Sequence, residues 1–317
     1  MFTTINELIK IQKKIAPYIH ETPVMSSEYF NDISGCKAVF KCENFQKMGA
    51  FKMRGAMNAV MSLDDESRSR GVITHSSGNF GQAVALAARN LGIKAVIVMP
   101  SNAPAVKKAA IAGYGAEIIE CEPTNEARAS VTARISKESG AVILHPSNQK
   151  EVIDGNASAA IELINFCNDA STELDAIITP VGGGGLLAGT ALAAKGLIPE
   201  IEVFAGEPSG ADDAYRSLKE GVIQASVAPH TIADGLKTQL GECNFPIIQK
   251  YVNEIILVEE DEIVSAMQII WERMKLVIEP SSAVAPAAIL KRPELFKDKN
   301  VGIILSGGNV QLDKLPF

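Results

Sequence analysis

The spacing of short apolar runs limits what this chain can fold into more than any other feature. Runs at residues 71–75 (GVITH), 94–98 (KAVIV), 116–120 (AEIIE) and 141–144 (AVIL) begin 23, 22 and 25 residues apart. Helical patterns at 79–91, 104–112 and 125–138 fill the gaps. Strands separated by a helix cannot be joined as hairpins, so each strand–helix pair reads as a βα unit of a parallel sheet. A second series follows, with strands at 175–179, 201–205, 254–258 and 300–305 and helices at 186–195, 211–219, 260–274 and 280–290. Two series, each with its own core, predict an α/β protein of two open twisted sheets with flanking helices and mostly parallel strands. A length of 317 residues accommodates two such units. Ligands of these sheets sit beyond the carboxyl ends of the strands, so the turns that follow the strands carry the functional information.

Composition narrows the function classes. A net charge of −7, from 30 basic and 37 acidic residues, gives no general pull toward nucleic acid or an anionic membrane. The five cysteines are odd in number and none is in CxxC spacing, which fits buried free thiols in a reducing compartment, the cytoplasm. The amino terminus has no continuous apolar stretch, and Thr4 and Glu7 are spaced for a capping box on an amphipathic helix. Residues 176–194 carry no charge, but Pro180 and four consecutive glycines would break a membrane span at its middle.

Four segments hold the candidate chemistry. Gly182, Gly183, Gly184 and Gly185 follow the strand at 175–179 and open a helix. Without Cβ atoms their N–H groups can converge on one anion, and the helix end adds positive potential, so a phosphate fits. Neither a GxGxxG fingerprint nor a P-loop matches, and a tight buried turn is the competing reading. Ser76, Ser77, Gly78, Asn79 and Phe80 follow the strand at 71–75 and offer hydroxyls, an amide and a helix N-terminus to a carboxylate; simple N-capping is equally compatible. Ser306 ends the last strand, where its hydroxyl can meet a ring nitrogen or merely begin a turn. Lys52 lies between Phe51 and Met53 at a helix start, where desolvation would lower its pKa and suit it to condense with a carbonyl; most lysines are instead exposed.

In this order, FKCENFQKMGAFKMRGA, THSSGNFGQA, PVGGGGLLAG, GEPSGADD, TIADGLK, WERMKLVIEPSSA and ILSGGNV resemble the fold type II pyridoxal-phosphate enzymes, most of all the serine racemases and serine/threonine dehydratases. The resemblance spans almost the whole chain and implies a small domain at 49–146, with 1–48 plus 147–317 forming the large cofactor-binding domain. It implies that Lys52 carries pyridoxal phosphate, that Phe51 packs against the ring, and that Asn79 bonds the ring hydroxyl. The four glycines would cradle the phosphate, Ser306 would face the ring nitrogen, and Glu279 would lie near the ring. Ser77 would stand on the ring face opposite Lys52. Residues 76–80 and Arg128 would bind the substrate. Glu207, Asp213 and the carbonyl of Ala211 would hold Mg²⁺, Ca²⁺ or Mn²⁺, a hard oxygen set suited to such cations.

The implied activity is elimination of the β-hydroxyl of L-serine or L-threonine to a 2-oxo acid and ammonia, with racemisation of serine alongside. Lys52 would take the Cα proton, and Ser77 would return one from the other face. Acid/base groups on both faces are what inversion needs. A hydroxyl at the ring nitrogen protonates the ring less than a carboxylate would, which favours prompt elimination or reprotonation over transamination. The near alternative, a threo-3-hydroxyaspartate dehydratase, needs another cation for the second carboxylate. A cysteine-synthase-like β-replacement enzyme and a non-catalytic amino-acid sensor are more remote. The family also implies a homodimer, a small domain that closes on substrate, and ATP as an effector. Phe80 stands where the family usually has histidine, and Ala50 where serine is common.

Overall fold

The computed structural model describes residues 2–76 and 78–317. Among the described residues ten strands form two sheets: β1 (Val24–Ser26), β2 (Lys37–Cys42), β3 (Val72–Thr74), β4 (Ala95–Pro100), β5 (Glu117–Cys121), β6 (Val142–Ile143), β7 (Ala176–Pro180), β8 (Glu202–Pro208), β9 (Glu254–Val258) and β10 (Asn300–Leu305). The larger sheet has the order β1-β2-β10-β7-β8-β9 and the smaller one β5-β4-β3-β6. Every pairing is parallel except β1 with β2. The mostly parallel two-sheet architecture expected from the spacing is therefore present.

The central strands β7 and β10 are buried on both faces, as continuous apolar runs between two helical layers require. One side of the large sheet is covered by helices Lys150–Asp169 and Gly185–Leu197, the other by Glu260–Ile269 and Pro280–Lys291. The small sheet has separate cores, one built on helices Lys52–Met61 and Asn79–Asn90. At the amino terminus Thr4 and Glu7 close the expected capping box on helix Ile5–Ile15.

Helix Lys52–Met61 is wedged between the two sheets. A Cβ on Gly55 would lie 2.7 Å from the Val152 carbonyl, and one on Gly155 would lie 2.5 Å from the Arg54 carbonyl. The two backbones approach so closely only because both positions are glycine. Beneath this crossing is a sealed cluster of four charges. Arg54 donates through Nε and Nη2 to Glu43 (2.7 and 2.8 Å) and through Nη1 and Nη2 to Glu162 (2.6 and 2.7 Å). Lys41 pairs with Glu162 at 2.7 Å. Two cations thus face two carboxylates, and strand β2 and helices Lys52–Met61 and Lys150–Asp169 are locked to one another.

Two local expectations change. The helix expected at 260–274 becomes a π turn over Ile270–Met274, because Lys275 adopts φ 59° and Trp271 Nε1 donates to the Ile278 carbonyl at 3.0 Å. Four cysteines are buried, but Cys243 is exposed. Among the described residues no helix is long and apolar enough to cross a membrane.

Candidate active site

The turns after β3, β7 and β10 converge with the segment around Lys52. Phe51 N–H donates to the Ser306 carbonyl (3.0 Å), Ala50 bridges to Gly307, and Glu279 N–H donates to the Gly307 carbonyl (3.0 Å). Lys52, Ser306 and Glu279 are thus held at one point by backbone bonds. Helix Asn79–Asn90 adds Asn79, whose Nδ2 donates to both oxygens of Glu279 at 3.0 and 3.2 Å. Asn79 Oδ1 accepts from Asn309 Nδ2 at 2.9 Å.

The Lys52 amine is half-buried. It donates to the Pro146 carbonyl at 3.0 Å and lies 4.8 Å from the Phe51 ring centroid and 5.8 Å from that of Phe80. Desolvation lowers its pKa to about 8, despite the opposing pull of Glu279. Glu279, buried between the sheets, is pushed up to about 7 by desolvation, against the bonds from Asn79. His145 is drawn down to about 4 by burial, with His75 and Lys52 adding to the effect. Its Nδ1 accepts from the N–H groups of Ser147 (3.2 Å) and Asn148 (2.8 Å), which shapes the loop that carries the Pro146 carbonyl.

The four glycines end β7 and open helix Gly185–Leu197. Gly184 has φ +78°, and a Cβ there would lie 2.6 Å from Leu240 Cδ2. A Cβ on Gly182 would come within 2.7 Å of Leu236 Cα, and one on Gly183 within 2.4 Å of Ser147 Oγ. Among the described residues none of the four N–H groups donates a hydrogen bond. A compact turn with N–H groups to spare at a helix N-terminus, beside a desolvated amine, fits a phosphate-bearing aldehyde such as pyridoxal phosphate.

Ser77 lies outside the described residues. Beside it Gly78 N–H donates to Ser76 Oγ at 3.4 Å, and nothing stands within 4 Å of a Cβ on Gly78. Phe80 is 2% exposed and belongs to the small-sheet core, so it lines the lysine pocket with an apolar ring. Arg128 is half-buried in the first turn of helix Asn125–Ser139; burial lowers the pKa of His75, and the nearby Arg128 adds to the effect.

Glu207 and Asp213 lie one strand away, at the end of β8. Glu207 accepts from the N–H groups of Ala214 (2.8 Å) and Tyr215 (2.7 Å), and burial raises it to about 9. Burial raises Asp213 to about 6, against interactions with Leu240 N–H, which donates to one oxygen at 3.3 Å, and with the Ser226 hydroxyl. The nearby Ala211 is buried. Two desolvated carboxylates suit a hard cation. Among the described residues no cluster of three or more histidine, cysteine or acidic side chains is arranged to hold a metal.

Sequence reasoning passes over several participants. The Pro146 carbonyl and Ser147 belong to a loop with no glycine or charge to mark it. Lys107 and Asp234 form a 3.2 Å ion pair from helix Ala105–Gly113 to the turn Asp234–Leu236. That turn abuts Gly182, and its Gly235 N–H donates to Ser281 Oγ at 3.1 Å, which puts the pair on the rim of the site.

The profile of the family described as "Pyridoxal-phosphate dependent enzyme" matches residues 15–307. The chain is 51% identical to a serine racemase of Dictyostelium discoideum, over 98% of this chain and 96% of that protein. It is 46% identical to a beta-hydroxyaspartate dehydratase of Paracoccus denitrificans, over 99% and 98%. The crystal structure of a T.th. threonine deaminase superposes with a TM-score of 0.93 at 38% identity, covering 98% of this chain and 99% of that one.

Proposed function

The chain belongs to the pyridoxal-phosphate-dependent enzymes, and from that membership we propose that it eliminates the β-hydroxyl of L-serine and L-threonine, giving a 2-oxo acid and ammonia, and racemises serine at the same site. The single observation that carries this reading is the desolvated amine of Lys52, held on the Pro146 carbonyl with Ser306, Glu279 and Asn79 gathered around it. Relatives that act as a serine racemase and a beta-hydroxyaspartate dehydratase support both outcomes.

Bound pyridoxal phosphate supplies an aldehyde for an amine and an electron sink that acidifies the Cα–H of an amino acid. Lys52 would hold it covalently, Phe51 would pack beside it, and Asn79, Ser306 and Glu279 would offer it polar groups. Gly182, Gly183, Gly184 and Gly185 take the phosphate. Ser76, Gly78, Asn79 and Arg128 form the substrate side, and Phe80 closes it with an apolar wall. Lys52, once free as an amine, removes the Cα proton; its lowered pKa leaves a useful fraction neutral near pH 7–8. Ser77 is the second acid/base group of this reading and returns a proton when the centre inverts. Residues 49–146 act as the small domain that closes on the remainder.

Glu207, Asp213 and the Ala211 carbonyl hold a divalent cation in this reading, supported by the desolvation of both carboxylates. Mg²⁺ is then expected to raise the melting temperature of the wild type and not of Glu207→Gln; equal effects on both would remove the site. A homodimer and an ATP effector rest on the likeness to serine racemases, and the cytoplasm on the unpaired cysteines.

A second reading is favoured by Lys107. With Arg128 it gives the pocket rim two cations, as a substrate with a second carboxylate requires, so threo-3-hydroxyaspartate is the alternative substrate. The reading as a whole is checked by borohydride reduction of the cofactor-loaded protein and peptide mass mapping. A pyridoxyl-phosphate adduct on Lys52 is expected; an adduct elsewhere, or none, would contradict it.

A further inference from the structure

The glycine turn packs against side chains from neighbouring loops. It is gripped from behind by one side chain, Asn244, which is fully buried at the start of helix Phe245–Tyr251. Asn244 Nδ2 donates to the Gly183 carbonyl at 2.7 Å and to the Ser147 carbonyl at 3.3 Å. Its Oδ1 accepts from Gly241 N–H at 3.0 Å. The amide thus has a partner on each of its polar atoms, and its backbone is fixed because its carbonyl accepts from Ile247 and Ile248 at 3.1 and 3.0 Å.

We infer that Asn244 is a positioning residue for the phosphate site, acting through the Gly183–Gly184 peptide. In a trans peptide the carbonyl and the next N–H point in opposite directions. Holding the Gly183 oxygen against Asn244 therefore turns the Gly184 N–H away from Asn244. That N–H has no acceptor among the described residues. Glycine at 184 makes the grip possible, since a Cβ there would lie 2.8 Å from Asn244 Oδ1, and the +78° backbone disfavours any other residue. Through Ser147 the same amide also holds the residue next to Pro146, whose carbonyl receives the Lys52 amine. One buried amide thereby ties the geometry of the phosphate turn to that of the lysine loop. Losing its donors would leave the Gly183 carbonyl buried and unpaired and free the turn to rotate its N–H groups off the anion.

This inference rests on residues 182–185 being the phosphate site, and the test separates the two claims. Apoprotein of the wild type, Asn244→Asp and Asn244→Ser is titrated with pyridoxal phosphate and with pyridoxal, following the fluorescence of the single Trp271 or cofactor absorbance. Asn244→Asp keeps the volume and the acceptor but loses the donors; Asn244→Ser removes the reach without adding charge. The inference expects the dissociation constant for pyridoxal phosphate to rise about tenfold to a hundredfold in both variants, with pyridoxal binding changed less than about twofold. The ³¹P signal of the bound cofactor should shift in the same variants. Equal weakening of both ligands, or no weakening, would overturn the inference. So would failure of both variants to fold, which would make Asn244 a structural residue only. A wild type that binds pyridoxal as tightly as pyridoxal phosphate would instead remove the phosphate reading itself, and the inference with it.

Discussion

Lys52 and Arg54 are two residues apart and illustrate what a sequence exposes and what it conceals. Lys52 is legible through the motifs that surround it, since its hydrophobic neighbours alone leave an exposed lysine the commoner reading; in the structure its amine is desolvated. Its pKa of about 8 sets a pH dependence. Only the neutral amine attacks an aldehyde, so covalent uptake of pyridoxal phosphate by apoprotein should speed up as pH rises and level off just above pH 8. An ordinary lysine, with a pKa near 10.5, would still be accelerating at pH 10; that profile in a stopped-flow series would contradict the buried amine. Arg54 gives no such signal, because its partners Glu43 and Glu162 come from two other segments, and Lys41, beside Glu43 in the chain, reaches the cluster only by pairing with Glu162. Removing it leaves two buried carboxylates facing one cation. Arg54→Met is expected to cost about 3–5 kcal/mol in denaturant unfolding of the holoprotein.

At the scale of elements, turns announce themselves and one long helix does not. Glycines and hydroxyls at strand ends also serve as caps and tight turns, so the turns at 76–80, 182–185 and 306–309 are readable as sites only together and in their order. Helix Lys150–Asp169 escapes the pattern because 14 of its 20 residues are buried, which erases the polar face that a 3.6-residue period needs. Gly155 at its close crossing also reads as a loop residue. Strand β2 is hidden by Lys37 and Lys41, the second of which is buried in the ion cluster. The Ser76–Asn79 turn yields a direct prediction. A Cβ on Gly81 would lie 2.0 Å from the Ser76 carbonyl, so Gly81→Ala must displace the turn. Affinity for amino-acid substrate should fall at least about tenfold, seen as a raised KM, while Lys52 still takes up the cofactor; an unchanged KM would mean the turn does not bind substrate.

For the molecule as a whole, strand spacing is enough to foresee two mostly parallel sheets, but not that β2, which precedes the small-sheet strands, pairs with β10 in the large sheet. That pairing is non-local, and local patterning carries no information about it. It brings the Lys52 segment to the end of β10, so the junction between the sheets becomes the site. Substrate choice also belongs to this scale, since Arg128 and Lys107 come from the small-sheet side and Asp234 and Ser306 from the other. The central claim is tested most directly by one product assay. Cofactor-loaded protein with Mg²⁺ is given L-serine, L-threonine and L-threo-3-hydroxyaspartate in parallel, with 2-oxo acid and D-serine scored separately. The account predicts pyruvate together with D-serine from L-serine, and 2-oxobutyrate from L-threonine. A fully loaded protein that yields neither a 2-oxo acid nor D-serine from any of the three would contradict it.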